Sequence, residues 1–180
     1  MSAMPDDLEP VPDADAATDG RALAARPAKL DAIGTAVFVV ALAIAVPLRD
    51  ERGAQIAIGA VSMVLFAMGA GAALWAYVGA LERSRTAEIG VANLYLLTGR
   101  TAPPAVKRTM SILLVAQVVL AFAGAITGAS GLSGSEVNAL AFGVLVPMFG
   151  IGMNGLWAVR HGSFGPRVDK AARPTNRKLT

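Results

Sequence analysis

Four windows of this chain contain no Asp, Glu, Lys, Arg or His: Ala32–Leu48, Ala54–Leu81, Thr109–Ala129 and Val137–Val159. Such windows leave few choices. A peptide group in hydrocarbon has no water to bond, so a spanning segment must satisfy its own backbone, and a helix does this. At a rise of about 1.5 Å per residue, the 17 residues of the first window reach about 25 Å, and their flanks complete the crossing of a core about 30 Å thick. The 28 residues of the second reach about 42 Å, so that helix must tilt or project into water. The fold class predicted is all-α, an integral membrane four-helix bundle.

The remaining sequence divides around these windows. Residues 1–29 form a cytoplasmic tail whose first 20 residues hold Asp6, Asp7, Glu9, Asp13, Asp15 and Asp19 and little to bury; such a segment is expected to be disordered. Residues 30–161 form the four-span domain, with a charged segment at 82–108 between its two helical hairpins. Residues 162–180 form a basic tail. Of the 16 Lys and Arg residues, only Arg49 and Arg52 fall in a loop between paired windows, and Ser130–Glu136 has none. Positive loops stay on the cytoplasmic side, so both termini and the central segment are expected there. A cleaved leader is the rival reading of the first window, because Ala43-Ile44-Ala45 has the small residues of a cleavage site. The long acidic stretch before it opposes that reading.

Within the central segment, Glu88–Leu97 is too apolar for a plain loop and too short to span. It is expected to lie as a short interfacial helix ended by Gly99, or to offer a docking surface. Pro103-Pro104 would start the next helix and Pro147 would kink the last one. Gly124 and Gly128 make a GxxxG pair, and Gly150 and Gly152 thin the fourth window. Gln117 and Asn154 are polar inside otherwise apolar windows. These six are the helix-packing candidates, since close backbone approach and interhelical hydrogen bonds hold helices together in lipid. Trp75, Tyr77, Trp157, Arg160 and His161 are expected as interfacial anchors. The motifs Met68-Gly69-Ala70-Gly71 before Trp75 and Phe149-Gly150-Ile151-Gly152 before Trp157 suggest two duplicated hairpins.

Chemistry is sparse. No cysteine and one histidine exclude disulfides, thiolate chemistry and multi-histidine metal sites. No Asp, Glu, Lys, Arg or His lies inside the four windows, which argues against proton relays and ion coupling. Gly128-Ala129-Ser130-Gly131 and Gly131-Leu132-Ser133-Gly134 match a GxSG serine motif, but a serine nucleophile needs a nearby base, and His161 is assigned to the opposite face. No catalytic, cofactor or metal residue is predicted, and the chain is expected not to be an enzyme. With arginine exceeding lysine and with abundant alanine and glycine, the composition suggests a bacterial, GC-rich source and hence the plasma membrane. The basic residues flank the apolar windows, so a lipid bilayer is the expected partner and nucleic acid is not. The basic tail would attract anionic headgroups by about 1 kcal/mol per charge.

The run Ala141–Gly150, continuing through Gly155-Leu156-Trp157-Ala158-Val159-Arg160-His161-Gly162, resembles the last span of small four-span integral membrane proteins of actinobacteria. Glu82-Arg83-Ser84-Arg85 with Glu88-Ile89-Gly90 is similar to their central loop. The resemblance covers most of residues 32–165. It implies the four-span layout and carries no activity. The function expected is an accessory or scaffold subunit of a membrane complex, meeting a membrane protein partner or a second copy through glycine-rich faces and the central segment. The alternative is a small transporter or channel for a neutral or lipid-like solute, lined by Gln117 and Asn154.

The native lack of cysteine makes the topology directly measurable. In intact cells Ser133→Cys should react with an impermeant maleimide, and Thr175→Cys only after permeabilisation; the reverse pattern would invert the assignment.

Overall fold

The computed structural model describes Arg21, residues 25–129 and residues 139–166. The described residues are all-α apart from one short ladder. Helix α1 covers Arg26–Ala45, α2 Arg52–Arg83, α3 Val91–Tyr95, α4 Pro104–Ala129 and α5 Pro147–His161. A 3-10 helix over Ala139–Leu145 leads into α5. Strands β1 (Ala87–Glu88) and β2 (Gly165–Pro166) pair antiparallel, Ala87 opposite Pro166 and Glu88 opposite Gly165. Four helical stretches, Arg26–Ala45, Arg52–Arg83, Pro104–Ala129 and Ala139–His161, are long and apolar enough to cross a membrane.

Helix ends follow the local chemistry. Pro27 sits in the first turn of α1, where its fixed φ suits a helix and its missing N–H is no loss. The helix therefore opens six residues before the uncharged window does, and it takes in Lys29 and Asp31. It closes at Ala45, two residues before Pro47, rather than at Leu48. The short helix expected in the central segment is confined to Val91–Tyr95; Leu97 (φ 52°) and Gly99 (φ 67°) then turn the chain through left-handed backbone. Pro147 does more than kink the last span. The stretch before it tightens into 3-10 geometry, with Val146 N–H donating to Gly143 O at 3.0 Å, and a new α-helix starts with Pro147 in its first turn.

Each long helix buries one narrow stripe. On α2 the buried positions are Ile58, Ser62, Leu65, Gly69, Ala73, Ala76 and Ala80, a three-and-four spacing that winds with the helix. The opposite face is equally apolar: Ile56, Met63, Val64, Leu74, Trp75 and Val78 are all exposed. On α1 the exposed residues include Ile33, Val37, Val40 and Ile44, while Asp31 and Thr35 are buried. Apolar side chains outside and polar ones inside reverse the order of a water-soluble bundle, and they suit a low-dielectric surrounding.

Helix α5 is the inner element, half of its span being buried. It packs most extensively on α2 and also meets α1, α3 and α4. Glycine makes this approach close. A Cβ on Gly152 would collide with the carbonyl of Gly69, and one on Gly69 would lie 2.5 Å from Met148 O. A Cβ on Gly124 would stand 2.8 Å from Leu42 Cδ1, so the GxxxG residue packs on α1 of its own chain. Trp157, at 1% exposure, lies in the core, whereas Trp75 is 68% exposed; the two tryptophans of the repeated motif occupy opposite environments.

Gly152→Ala should therefore destabilise by about 1–3 kcal/mol, the usual cost of overpacking. Gly71, with nothing within 4 Å of its Cβ position, supplies the control. Thermal unfolding in mild detergent should show a lowered Tm for G152A and an unchanged or raised one for G71A; equal shifts would refute the contact.

Candidate functional site

The polar groups of the bundle interior converge where α1, α4 and α5 meet. Thr35, one turn after Asp31, points along the same face of α1, and its Oγ1 donates to the Asp31 carbonyl at 2.7 Å. Gln117 enters from α4. Its Nε2 donates to Asp31 Oδ1 at 2.9 Å and to Thr35 Oγ1 at 2.7 Å. Its Oε1 accepts the Gly150 N–H of α5 at 3.1 Å. One primary amide thus ties three helices, with both N–H donors and the carbonyl engaged. Gly150 permits this because a Cβ there would stand 2.6 Å from Gln117 Oε1. Asp31 and Gln117 are fully buried, and Asp31 Oδ2 has no hydrogen-bond partner.

A second polar contact fixes the central segment. Asn154 of α5 donates through Nδ2 to Tyr95 O at 3.0 Å, and the Tyr95 hydroxyl donates to Ala73 O of α2 at 3.0 Å. Gly155 makes room for the Tyr95 ring, whose Cε1 lies 2.8 Å from its Cβ position. Helix α3 is thereby held against both α2 and α5. Burial, and then Tyr77, push the Tyr95 phenol above its ordinary pKa. Among the described residues, the other buried oxygens without a partner are Asn154 Oδ1 and Ser62 Oγ.

The ends of α1, α2, α4 and α5 that carry most of the basic residues come together. Arg83 donates from Nη1 to Val159 O at 2.7 Å and from Nη2 to Gly162 O at 3.3 Å, covering carbonyls at the end of α5. Its guanidinium lies 5.1 Å over the Phe164 ring. Ser163 N–H donates to Thr101 O at 3.0 Å, next to the β1–β2 ladder. The predicted anchors separate here. Trp75, Tyr77, Arg160 and His161 are exposed, while Trp157 is buried, with its ring 5.6 Å from that of His161. Of the packing candidates, Gln117, Gly150 and Gly124 face neighbouring helices as described, Gly152 backs onto Gly69, Gly128 is buried on α4, and Asn154 reaches Tyr95. Ser130 and Ser133 of the GxSG motifs lie outside the described residues.

Asp31 is the residue that the charge pattern hid. It falls one position before the first uncharged window and reads as a flank. The overlooked signal is Pro27: a helix started there carries Asp31 onto the same face as Thr35 and Phe38. Among the described residues no three His, Cys, Asp or Glu side chains gather as a metal site. Comparison with protein-family models, curated proteins and solved structures finds no match to this chain.

Replacing Gln117 by leucine leaves a buried carboxylate without its donor and should cost about 2–3 kcal/mol. Removing both partners, as in D31L/Q117L, should cost less than the sum of the single changes, because the buried carboxyl that loses its donor is removed with it. A double-mutant cycle read by thermal unfolding measures this; strict additivity would show that the two side chains are not coupled.

Proposed function

We propose that the chain is a non-catalytic integral protein of the bacterial plasma membrane, with four spans and both termini in the cytoplasm. It serves there as an accessory or scaffold subunit of a larger membrane complex. The observation that carries this reading is the engagement of the interior. Gln117 and Asn154, the residues available to line a solute path, are buried and hydrogen-bonded between helices. The glycines at 69, 124, 150, 152 and 155 meet atoms of their own chain. What faces outward is an apolar surface and a basic end. Orientation rests on charge: Arg26, Arg83, Arg85, Arg100, Lys107, Arg108 and Arg160 belong to one end of the bundle, Arg49 and Arg52 to the other.

The expected glycine-rich contact surface shifts accordingly. On α2, Gly71 is open, and Leu74, Trp75 and Val78 stand three, four and seven residues further along, all exposed. That ridge beside a notch suits packing against another helix. A second reading, a small transporter coupled to an ion, is favoured by one observation. Asp31 places a carboxyl inside a candidate span with one oxygen unpartnered, and intramembrane carboxyls are the usual seat of coupling.

Native purification from the host membrane separates the two. A stoichiometric protein partner should accompany the wild type and be lost from Gly71→Leu while the Tm of the bundle holds. A chain that purifies alone, and whose reconstituted vesicles show ion or solute flux abolished by Asp31→Asn, would transfer the assignment to transport.

A further inference from the structure

A recess of about 740 Å³ opens at the basic end of the bundle, where the start of α1, the stretch before α4 and the end of α5 converge. Arg21, Arg100, Thr101, His161 and Ser163 line it, with Ala25, Pro104 and Trp157 among its apolar residues. Among the described residues, none of those that line it is acidic. Arg21, Arg100, His161 and Ser163 are exposed, whereas Thr101 and Trp157 are buried, so a polar rim stands over a largely apolar floor.

We propose that this recess binds a phosphate group, as a diester in an anionic lipid headgroup or as a soluble phosphate. Several independent features favour an anion. Two guanidiniums and an imidazole supply donors in the planar arrangement that phosphate oxygens accept. Pro104, the first residue of the 26-residue helix α4, also lines the recess and brings the positive end of that helix to it. The end of α5 would oppose an anion through its free carbonyls, but Arg83 and the Gly162 N–H, which donates to Ala158 O at 2.8 Å, cover several of them. The site is also built. Thr101 is fixed by its own bond to Thr98 O at 2.8 Å and by the Ser163 N–H, and His161 lies against Trp157. A lipid is the source that the setting favours, since the recess opens where the apolar helix surfaces end and its floor can take the glycerol portion of a headgroup.

The test uses the full chain in nanodiscs of phosphatidylcholine with a minority of phosphatidylglycerol, and counts retained lipids by native mass spectrometry. The wild type should retain phosphatidylglycerol selectively. R21Q/R100Q should lose about thirtyfold of that preference, the scale expected for two basic groups near a headgroup. R108Q/R160Q removes the same charge from exposed positions outside the recess and should retain it. Ser163→Glu, which brings a carboxylate to the rim while keeping every arginine, should lose it too, and covers the case in which R21Q/R100Q fails to fold. In detergent without lipid, inorganic phosphate is the second probe, read by protection of His161, the sole histidine, from diethylpyrocarbonate. Protection of the wild type but not of R21Q/R100Q, with no lipid preference, keeps the site and makes its ligand soluble. Equal loss of phosphatidylglycerol in the two double variants, or neither selective retention nor protection, overturns the proposal.

Discussion

Helix α5 can lie within the bundle only because its backbone meets that of α2 without side chains between them. At Gly69 and Gly152 the space for a Cβ is already filled by main-chain atoms of the facing helix. Contact at this distance gains dispersion along the whole crossing, and it brings the neighbours of α5 within hydrogen-bond reach. It also requires a helix that starts in the right place. Pro147 ends the 3-10 stretch and opens α5 at a register that puts Gly150, Gly152 and Gly155 on successive contacts with Gln117, Gly69 and Tyr95. A continuous helix from Ala139 would carry these glycines around at a different angle. The break at Pro147 and the close packing are two aspects of one arrangement.

The polar groups then act as register pins. In an apolar surrounding, sliding one greasy helix along another changes little, because any Leu or Val can replace its neighbour in the contact. Gln117 cannot slide: its amide must meet Asp31 and Thr35 on one side and the Gly150 N–H on the other. Displacing any of the three helices by one turn, about 5.4 Å, leaves at least one buried polar group without a partner. Asn154 and Tyr95 fix the central segment in the same manner, and Arg83 ties α2 to the end of α5. The three sets of bonds lie at separate places in the bundle, which determines the tilt of the helices as well as their height.

Much of this was legible from charge alone, since four uncharged windows and their basic flanks lead to four helices with one basic end. The packing was less legible, for a physical reason. On α1, Val37 and Phe38 are both large and apolar, yet one is exposed and the other wholly buried. When outward and inward faces are equally greasy, hydropathy no longer separates them, and only the small and polar residues report the inner face. Gly124, Gly150, Gly152, Gln117 and Asn154 did so. Trp157 misled, because a tryptophan near a helix end suits an interface, whereas this one belongs to the buried core. Asp31 was missed because charge was used to mark where a helix stops, and a carboxyl paired inside the bundle breaks that rule.

On the proposed scaffold reading, a bundle assembled this way meets its partners at its edges. The interior is tied by bonds that a passing solute would have to break: an aqueous file along Gln117 needs the amide to release Asp31, Thr35 and Gly150 together, since all three converge on one side chain. A partner helix on the outer face of α2, or a phosphate at the basic end, disturbs none of these bonds. It meets surfaces that the fold has left without internal duty, and its binding can stabilise the bundle by mass action alone. Asp31 Oδ2, the acidic member of the buried oxygens without a partner, fits this division least. It is an acceptor carried into the centre of the packing with nothing to accept, beside an amide whose donors are both engaged. A purely structural pin would serve as well with an asparagine, which could donate as well as accept. The carboxyl therefore marks the point where selection for something other than packing would act, and where the scaffold and transport readings divide most sharply.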